Sequence, residues 1–277
     1  MPEMPEMQAL AERLDELLRG ATLESATPLA IAGLKTFDPT PSDLSGRVLS
    51  SVARRGKFLI FDLGTERVLV HLSQGGRVDV ENPPRNTRPK GAVVRFSFRQ
   101  RPSVLVKEFG SHRKAGWWVL AASDEGPLAK LGPEALSQEF AGFVATGQDR
   151  RRLNTLLRDQ RTVAGVGRGY TDEILHAARL SPYTALAKLS TEERVRLQEA
   201  TVEVLNRGLE AERRRKGGLP TKLVGRFSIH GHAGGACPRC GGPLAHVVYE
   251  SYEMVYCPQC QTEGRILADR AQSRFLR

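Results

Sequence analysis

The beginning of the chain has the apolar spacing of an amphipathic helix. Five apolar side chains recur every three or four residues, namely Met7, Leu10, Leu14, Leu17 and Leu18. This period places them on one helical face, so the pattern predicts a helix from about Glu3 to Arg19. Because an apolar face needs a partner, we expect the start of the chain to be packed against the rest of the protein.

The pattern changes between Arg47 and about Ala122. Short runs rich in Val, Leu and Phe are separated by Gly and Pro turns: KFLIFDL, RVLVHL, AVVRFSF, SVLVKEF and WWVLAA. Runs of this length and composition are typical of β-strands. Several of them in succession predict a β-sandwich or a barrel.

A turn-rich stretch from Pro127 to Pro133 separates these strands from a region of helical spacing. The apolar period then passes through Phe140, Leu156 and Ile174, and it continues in a long stretch from Thr191 to Arg214. A helical domain is therefore predicted after the β domain. The basic run RRRKGG ends the last long helix and leads into glycine-rich sequence.

All four cysteines lie in the last 41 residues, so they serve one local feature. Two C-x2-C pairs are separated by 16 residues, formed by Cys237, Cys240, Cys257 and Cys260. Two tight turns of this kind present four thiolates tetrahedrally to one Zn²⁺, and a closed four-cysteine site is structural. The intervening HVVYESYEMVYC has the composition of a β-hairpin. Two disulfides are the alternative, which a chain without a secretory signal disfavours.

Three histidines near the cysteines are candidate competing ligands: His230, His232 and His246. We expect them to be ordinary loop residues, because four thiolates already complete a zinc site. The predicted fold class is α+β with three domains. Residues 1–126 form a β-sandwich with flanking helices, residues 127–226 a helical domain, and residues 227–277 a zinc ribbon.

The charge balance points to a polyanionic partner. The 277 residues include 41 Lys and Arg against 31 Asp and Glu, a formal net charge of +10, and the sequence pI is near 9.8. Nucleic acid is the first candidate, and a solvated basic surface without a partner is the alternative. No apolar stretch approaches the ~20 residues that cross a bilayer. We expect a cytoplasmic, nucleoid-associated monomer without a membrane partner.

The first three residues carry a possible chemistry. A small residue after Met1 favours removal of that methionine, which would leave the secondary amine of Pro2 directly before the carboxylate of Glu3. A free α-amine has a pKa of about 7.7 to 8, so an appreciable fraction is nucleophilic near neutral pH and can form a Schiff base with a sugar C1′ carbon. The alternative is that Pro2 only begins a helix whose dipole Glu3 and Glu6 complement.

Six blocks in order give the chain a resemblance to a known family. They are PEMPEM at the start, RRGKFLIFDL around Lys57, HLSQGG from His71, LGPEAL from Leu131, DQRTVAGVGRGYTDEIL from Asp159, and the cysteine motif. Together they span nearly the whole chain. The sequence resembles the formamidopyrimidine-DNA glycosylase and endonuclease VIII family of base-excision repair enzymes.

This resemblance implies a fold and a set of roles. The helical domain would contain a helix-two-turn-helix element, and the hairpin of the zinc ribbon would reach into the DNA minor groove. Pro2 would be the nucleophile, Glu3 the general acid and base that protonates the sugar, and Lys57 a phosphate-binding residue that assists elimination. His71 corresponds to a phosphate contact and Glu173 to a family position of the helical domain.

The GVGRG turn contains Gly165, Gly167 and Gly169, which would let the backbone approach a phosphate. A simple interhelical turn is the alternative. Three expected DNA-binding positions depart from the family pattern. Arg168 stands where Asn is usual, Asn154 where Lys is usual, and Tyr252 where Arg commonly holds the phosphates beside the lesion. The resemblance leaves the lesion specificity more open than the chemistry.

The residues that fill the gap left by an extruded base map to Gln74, Arg113 and Ala115, with solvated loops as the alternative for Gln74 and Arg113. A Phe wedge is typical of one branch at the position of Ala115. Glu6 corresponds to a residue that lines the base pocket, and a helix cap is the alternative there. These positions govern how a base is held outside the stack.

The leading hypothesis is a DNA glycosylase with abasic-site lyase activity. It would act on double-stranded DNA that contains a damaged base or an abasic site, with one structural Zn²⁺ and no catalytic metal. A noncatalytic protein that binds damaged or abasic DNA is the rival, motivated by the altered residues Asn154, Arg168 and Tyr252. A zinc-ribbon RNA-binding or transcription protein leaves the Pro2–Glu3 pair unexplained.

Overall fold

The structure is a computed structural model that describes residues 1–109, 114–220, 225–249 and 252–267. It divides into two compact units: Met1–Lys130 with Gly208–Leu223, and Leu131–Arg207 with Val224–Arg277. The predicted first boundary, between residues 126 and 127, lies close to the boundary between these units. The ribbon residues group with the helical residues in one unit, and the three-domain division stays a prediction.

Two antiparallel sheets of four strands form the first unit, which confirms the predicted β-sandwich. The strands are β1 Leu23–Pro28, β2 Ser51–Arg55, β3 Phe58–Asp62, β4 Glu66–His71, β5 Gly76–Glu81, β6 Ala92–Phe98, β7 Ser103–Glu108 and β8 Gly116–Ala121. One sheet has the order β1-β6-β7-β5 and the other the order β2-β3-β4-β8. The five predicted apolar runs correspond to β3, β4, β6, β7 and β8.

Helix α1 (Met4–Leu18) confirms the predicted first helix and packs on the sandwich. Most of its apolar face is buried in the core of the unit, where Leu10, Leu14 and Leu18 are each at most 1% exposed, and Leu17 is partly buried. Burying a Leu side chain stabilises the folded state by roughly 1.5 to 3 kcal/mol. The helix is also tied to β2, since the Val52 N–H donates to Asp15 Oδ1 at 2.7 Å.

The second unit is mainly helical, as predicted. It contains α2 Gln138–Thr146, α3 Leu153–Leu156 and α4 Arg168–Ala177, and α5 Thr191–Arg213 begins there and ends among residues of the first unit. The buried Arg194 of α5 donates to the carbonyl oxygens of Val144 (2.7 Å) and Gly147 (3.0 Å), which satisfies the end of α2. Among the described helices, none has the length and apolarity needed to cross a membrane.

The cysteine segment forms the predicted hairpin. Strands β9 (Ala245–Tyr249) and β10 (Tyr252–Tyr256) pair antiparallel, and α6 (Pro258–Thr262) follows. The apolar core around the cysteines consists of few residues: Ile229, Cys237, Leu244, Val255 and Cys257. So small a core rarely supports a fold alone, and additional links are needed.

Candidate functional site

The predicted catalytic residues at the chain start are buried. Pro2 is buried, and Glu3 and Glu6 are 2% and 0% exposed, whereas Met1 is 37% exposed. Glu3 is the N-cap of α1, and its N–H donates to Glu6 Oε2 at 2.7 Å. Glu6 therefore caps the helix, and both carboxylates lie at the positive end of the helix dipole.

Lys57 and His71 are brought together by the pairing of β3 with β4. Lys57 is 5% exposed in the turn before β3, and Phe58 pairs with His71 in register, their rings 4.7 Å apart. Burial, together with a smaller contribution from the positive charge of Lys57, lowers the pKa of His71 from 6.5 to about 4. His71 is therefore neutral at physiological pH and can donate one hydrogen bond.

Arg54, which the sequence reasoning did not single out, ties the Lys57 turn to α1. Its Nε donates to Gln8 Oε1 at 3.0 Å, and its Nη1 donates to the carbonyl oxygen of Gly56 at 2.9 Å. The turn that carries Lys57 is thus fixed to the helix that begins after Glu3. The signal was present in the sequence, since Arg54 opens the RRGK block.

The segment predicted to fill the gap left by an extruded base is held by a buried carboxylate. Gln74 is exposed in the turn between β4 and β5, and the Phe109 N–H donates to the carbonyl oxygen of Gly75 at 2.9 Å. Glu108, 5% exposed, accepts the N–H groups of Lys114 (2.7 Å) and Ala115 (2.9 Å). Glu108 therefore anchors the end of this segment, and sequence reasoning missed it.

Two predicted positions in this segment have different outcomes. Ala115 is 5% exposed and belongs to the core of the first unit. A role of this position beside an extruded base stays a prediction. Arg113 lies outside the described residues.

Arg168 and Tyr252 meet at the beginning of α4. The Arg168 guanidinium carbon lies 4.3 Å from the centre of the Tyr252 ring, and that of Arg158 lies at the same distance. Arg158 Nη2 also donates to the Tyr252 hydroxyl at 2.8 Å. The Tyr252 ring stacks on Tyr249 with a separation of 4.4 Å and an angle of 11°. Stacking and cation–π contacts therefore hold two cations beside the hairpin.

Asn154 has a different surrounding from the one expected of a DNA-binding residue. It is 2% exposed, and its amide nitrogen donates to Met254 Sδ at 3.1 Å. Its backbone oxygen accepts from Arg158 Nε at 2.6 Å. The side chain packs against β10 inside the second unit, and its role in DNA binding stays a prediction.

Backbone conformation and close packing both require glycine in the GVGRG turn. Gly165 has φ 99°, which favours glycine. A Cβ on Gly169 would lie 2.2 Å from the Phe227 ring, so close packing requires the absence of a side chain there. Thr171 in the first turns of α4 is 1% exposed, and its Oγ1 has no hydrogen-bond partner among the described residues. A buried polar atom of this kind is suited to a bound group.

Buried carboxylates of α4 hold the ribbon. Glu173 Oε1 accepts the N–H groups of Ser228 (3.0 Å), Ile229 (2.8 Å) and His230 (3.1 Å). Asp172 Oδ2 accepts from His230 Nδ1 at 2.6 Å and from the Val255 N–H at 3.1 Å. Burial raises the pKa of Asp172 to about 6. His230 lies in a turn, as expected, and it is also a structural partner of α4.

The four cysteine sulfurs fit a zinc ion. All four lie within 4.8 Å of one another, with Cys237–Cys260 at 3.9 Å and Cys240–Cys257 at 3.5 Å. A tetrahedral zinc site with Zn–S bonds of about 2.3 Å requires sulfur separations of about 3.8 Å. The cluster therefore holds one structural zinc ion, as the sequence predicted.

Residues outside the cluster fix it to α4. His176 Nε2 lies 3.2 Å from the Cys237 sulfur, and Arg239 Nη1 donates to the His176 carbonyl oxygen at 2.7 Å. A histidine that donates to a ligating thiolate is a common outer partner of a metal. His246, expected in a loop, lies in β9. Neither His230, His232 nor His246 belongs to the metal-binding group found among the described residues.

The fold and these sites define a zinc-ribbon protein with a buried N-terminal proline and cations gathered at a helix N-terminus. Residues 1–118 match the formamidopyrimidine-DNA glycosylase N-terminal domain, and residues 131–217 match the formamidopyrimidine-DNA glycosylase H2TH domain. The chain belongs to the formamidopyrimidine-DNA glycosylase family. This membership confirms the resemblance stated from the sequence blocks.

Relatives match over almost their whole length. The formamidopyrimidine-DNA glycosylase of Thermus thermophilus is 35% identical over 277 residues, covering 95% of this chain and 100% of the relative. That of Geobacillus kaustophilus is 31% identical, covering 94% and 100%. The crystal structure of the MutM (Fpg) protein from Thermus thermophilus has a TM-score of 0.81 at 32% identity, covering 95% and 100%.

A further solved structure shares the fold. The complex between the Lactococcus lactis Fpg and an abasic site containing DNA is 22% identical, covers 94% of this chain and 99% of that chain, and has a TM-score of 0.81. The same architecture is thus present in a protein solved with that DNA.

Proposed function

We propose that this protein is a base-excision DNA glycosylase with abasic-site lyase activity, whose nucleophile is the Pro2 amine after removal of Met1. The observation that carries this proposal is the buried Pro2–Glu3 pair at the start of α1, the helix to which Arg54 ties the Lys57 turn. The relatives that match over the full length are named formamidopyrimidine-DNA glycosylase.

The chemistry starts with the lone pair of the Pro2 nitrogen. It attacks C1′ of the damaged nucleotide, the bond to the base breaks, and the base leaves with the bonding electrons. Glu3 donates a proton to the sugar ring oxygen as the ring opens, which leaves an iminium ion on C1′. The Glu3 carboxylate left by that transfer, or a water molecule, then takes a C2′ proton, and the electrons of the C–H bond expel the 3′ phosphate, so the strand is nicked by elimination.

Charged side chains of the first unit assist these steps. The Lys57 ammonium binds the phosphate that leaves and stabilises its charge. His71, neutral because burial and the Lys57 charge lower its pKa, donates one hydrogen bond to a neighbouring phosphate. Gln74, exposed in its turn, and Arg113 contact the bases opposite the extruded nucleotide.

The second unit supplies cations for the DNA backbone. The hairpin has Tyr252 in place of an arginine, and the ring of Tyr252 holds the guanidinium groups of Arg158 and Arg168. These two cations, the N-terminus of α4 and the unpartnered Thr171 hydroxyl favour a phosphate group. Phosphate contacts of this kind hold a distorted duplex while the target base is extruded.

The substrate class is double-stranded DNA with a damaged base or an abasic site. The net charge of +10 favours binding to a polyanion. Such a substrate places the protein in the cytoplasm, at the nucleoid, and the chemistry needs one polypeptide, in agreement with a monomer. The relatives named above are from bacteria.

A noncatalytic DNA-binding protein is the second candidate. The observations that favour it are Tyr252, which carries no charge, and Asn154, whose amide is buried. The pair Pro2 and Glu3 weighs against it, because the pair places a carboxylate next to a proposed nucleophile, which DNA binding alone does not need.

Borohydride trapping on duplex DNA with an abasic site tests the proposal. The reduced covalent adduct should map by mass spectrometry to the peptide that begins at Pro2. Glu3→Gln should reduce adduct formation by about 100-fold or more, as expected for loss of a general acid. Glu16→Gln, an exposed carboxylate of the same helix, should leave it unchanged. DNA binding without any adduct would overturn the lyase and support the noncatalytic protein.

A further inference from the structure

A cavity of about 540 Å³ in the first unit is not used by the proposed reaction. None of the residues assigned above to chemistry or DNA binding lines it. Its walls come from the second half of α1, the end of β5, the turn between β6 and β7, and the segment after α5. Pockets of roughly 300 to 1,000 Å³ are the size that small ligands occupy.

Cations dominate the polar part of this cavity. Five basic side chains line it, namely Arg13, Arg101, Arg213, Arg215 and Lys216, against one carboxylate, that of Glu16. Two of the five have carboxylate partners: Arg213 pairs with Glu12 and Glu210, and Arg215 pairs with Glu212. The described part of the chain provides no ion-pair partner for the exposed side chains of Arg101 and Lys216.

Arg13 has a buried hydrogen-bond donor without a partner in the described part of the chain. Its Nε donates to the carbonyl oxygen of Gly217 and its Nη1 to that of Glu212, both at 2.9 Å. Its Nη2 is buried and has no hydrogen-bond partner among the described residues. Burial lowers the pKa of Arg13, with Arg215 acting in the same direction and Glu212 opposing both. The hydrogen bonds of Arg13 go to neutral carbonyl oxygens, so an anionic ligand would add to the attraction that Glu212 and Glu12 already exert on this cation.

The remaining walls are apolar. Leu14, Leu17, Val80 and Pro102 line the same space. An anion that is only a small hydrated ion would leave these surfaces in contact with water. A ligand that joins an anionic group to an apolar ring would bury them and place its charge beside Arg101, Lys216 and Arg13.

We propose that this cavity binds a small phosphate monoester that carries an apolar ring or chain. The phosphate is the anion that fits, because two negative charges and several acceptor oxygens match the guanidinium and ammonium donors that line the cavity. The apolar portion packs on the Leu and Pro side chains. This site is independent of the proposed glycosylase activity, and its ligand needs no DNA.

Titration calorimetry on the full-length zinc-bound protein at low salt tests the site with three probes. Phenyl phosphate combines the charge with a ring, inorganic phosphate has the charge alone, and benzyl alcohol has the ring alone. Phenyl phosphate should bind saturably with one site per chain, at least about tenfold more tightly than inorganic phosphate, a difference of about 1.4 kcal/mol. Benzyl alcohol should not bind measurably. No saturable binding of phenyl phosphate at concentrations up to about 10 mM would overturn the proposal.

Paired variants locate the binding. The double variant Arg101→Ala and Lys216→Ala removes two exposed cavity cations and should weaken phenyl phosphate binding by about tenfold or more. The matched control is Arg99→Ala with Arg214→Ala, which removes the same charge from exposed neighbours outside the cavity. The control should change the affinity less than about twofold. Equal weakening in both double variants would mean that net charge alone attracts phosphate, which contradicts a built site.

Discussion

Different interactions stabilise the sandwich of the first unit and the ribbon of the second unit. In the sandwich, side chains from both sheets and α1 form one continuous apolar core that includes the fully buried Trp117 and Leu59. Around the cysteines the apolar core has five buried members in the part of the chain that the structure describes. In the ribbon, metal-bound thiolates and the α4 carboxylates of Glu173 and Asp172 stabilise the fold in place of a large apolar core. The chain therefore contains one region whose stability depends on area buried and one whose stability depends on charge and coordination.

Removing the zinc should give the largest effect. A structural zinc ion contributes roughly 10 to 16 kcal/mol of binding free energy that is available only to the folded ribbon. Cys257→Ser should therefore abolish protection from hydrogen exchange in β9 and β10 and leave β3 and β4 protected. Hydrogen exchange with mass spectrometry on the full-length protein measures both regions at once.

Loss of hydrogen-exchange protection in both the sandwich and the ribbon of Cys257→Ser would contradict this difference between the two regions. A control in the opposite sense is Leu59→Ala, which leaves a cavity in the apolar core and should cost about 2 to 5 kcal/mol without changing the bound zinc. Metal content and the denaturation midpoint report these two quantities separately.

Glu173→Gln should have an intermediate effect on the local stability of the ribbon. The neutral amide keeps the shape but loses the charge that three backbone N–H groups share, so we expect a local loss of about 2 to 3 kcal/mol. The amides of residues 228–230 should exchange faster, by a factor that reports this loss. Glu203→Gln removes an exposed α5 carboxylate that pairs with Arg207, and it should cost less than about 0.5 kcal/mol. A comparable effect of the two variants would contradict the special role of Glu173.

Titration of His71, which lies in the sandwich, should change the free energy of unfolding the least. Its pKa is about 4 in the folded protein and 6.5 ordinarily. The unfolded chain therefore takes up a proton first as the pH falls, and stability present above pH 6.5 is lost toward pH 4. Between about pH 8 and 5.5 the loss should be about 1.4 kcal/mol. Denaturant unfolding of wild type, His71→Gln and the exposed-site control His232→Gln measures it; only His71→Gln should flatten the profile.

Periodicity predicted the elements that bury much apolar surface. Helix α1, five of the eight sandwich strands and the hairpin of the ribbon have strong apolar patterns and were anticipated. Strands β1, β2 and β5 were not, because LESATP, SVARR and GRVDVE contain few apolar residues. Each forms through backbone pairing with a strand distant in sequence or across a turn, which no local pattern encodes.

The candidate site was predicted unevenly for a related reason. The metal ligands follow from spacing alone, whereas the terminal pair Pro2 and Glu3 was singled out through the family resemblance and stays a prediction. The environments of Asn154 and Ala115 depend on which residues pack around them after folding, and their burial was not foreseen. Arg158 and Glu108 were missed because their partners, Tyr252 and the backbone of residues 114 and 115, are defined only in three dimensions.

The burial of Pro2 behind an exposed Met1 has a practical consequence for anyone who prepares this protein. While Met1 is attached, the Pro2 nitrogen is a tertiary amide, and its lone pair is delocalised into the carbonyl group. An affinity tag fused before Pro2 would keep it in that state permanently. If Pro2 is the nucleophile that we propose, such a preparation would hold zinc and bind DNA without forming a Schiff base. The tag then belongs elsewhere, and the host needs an aminopeptidase that removes Met1.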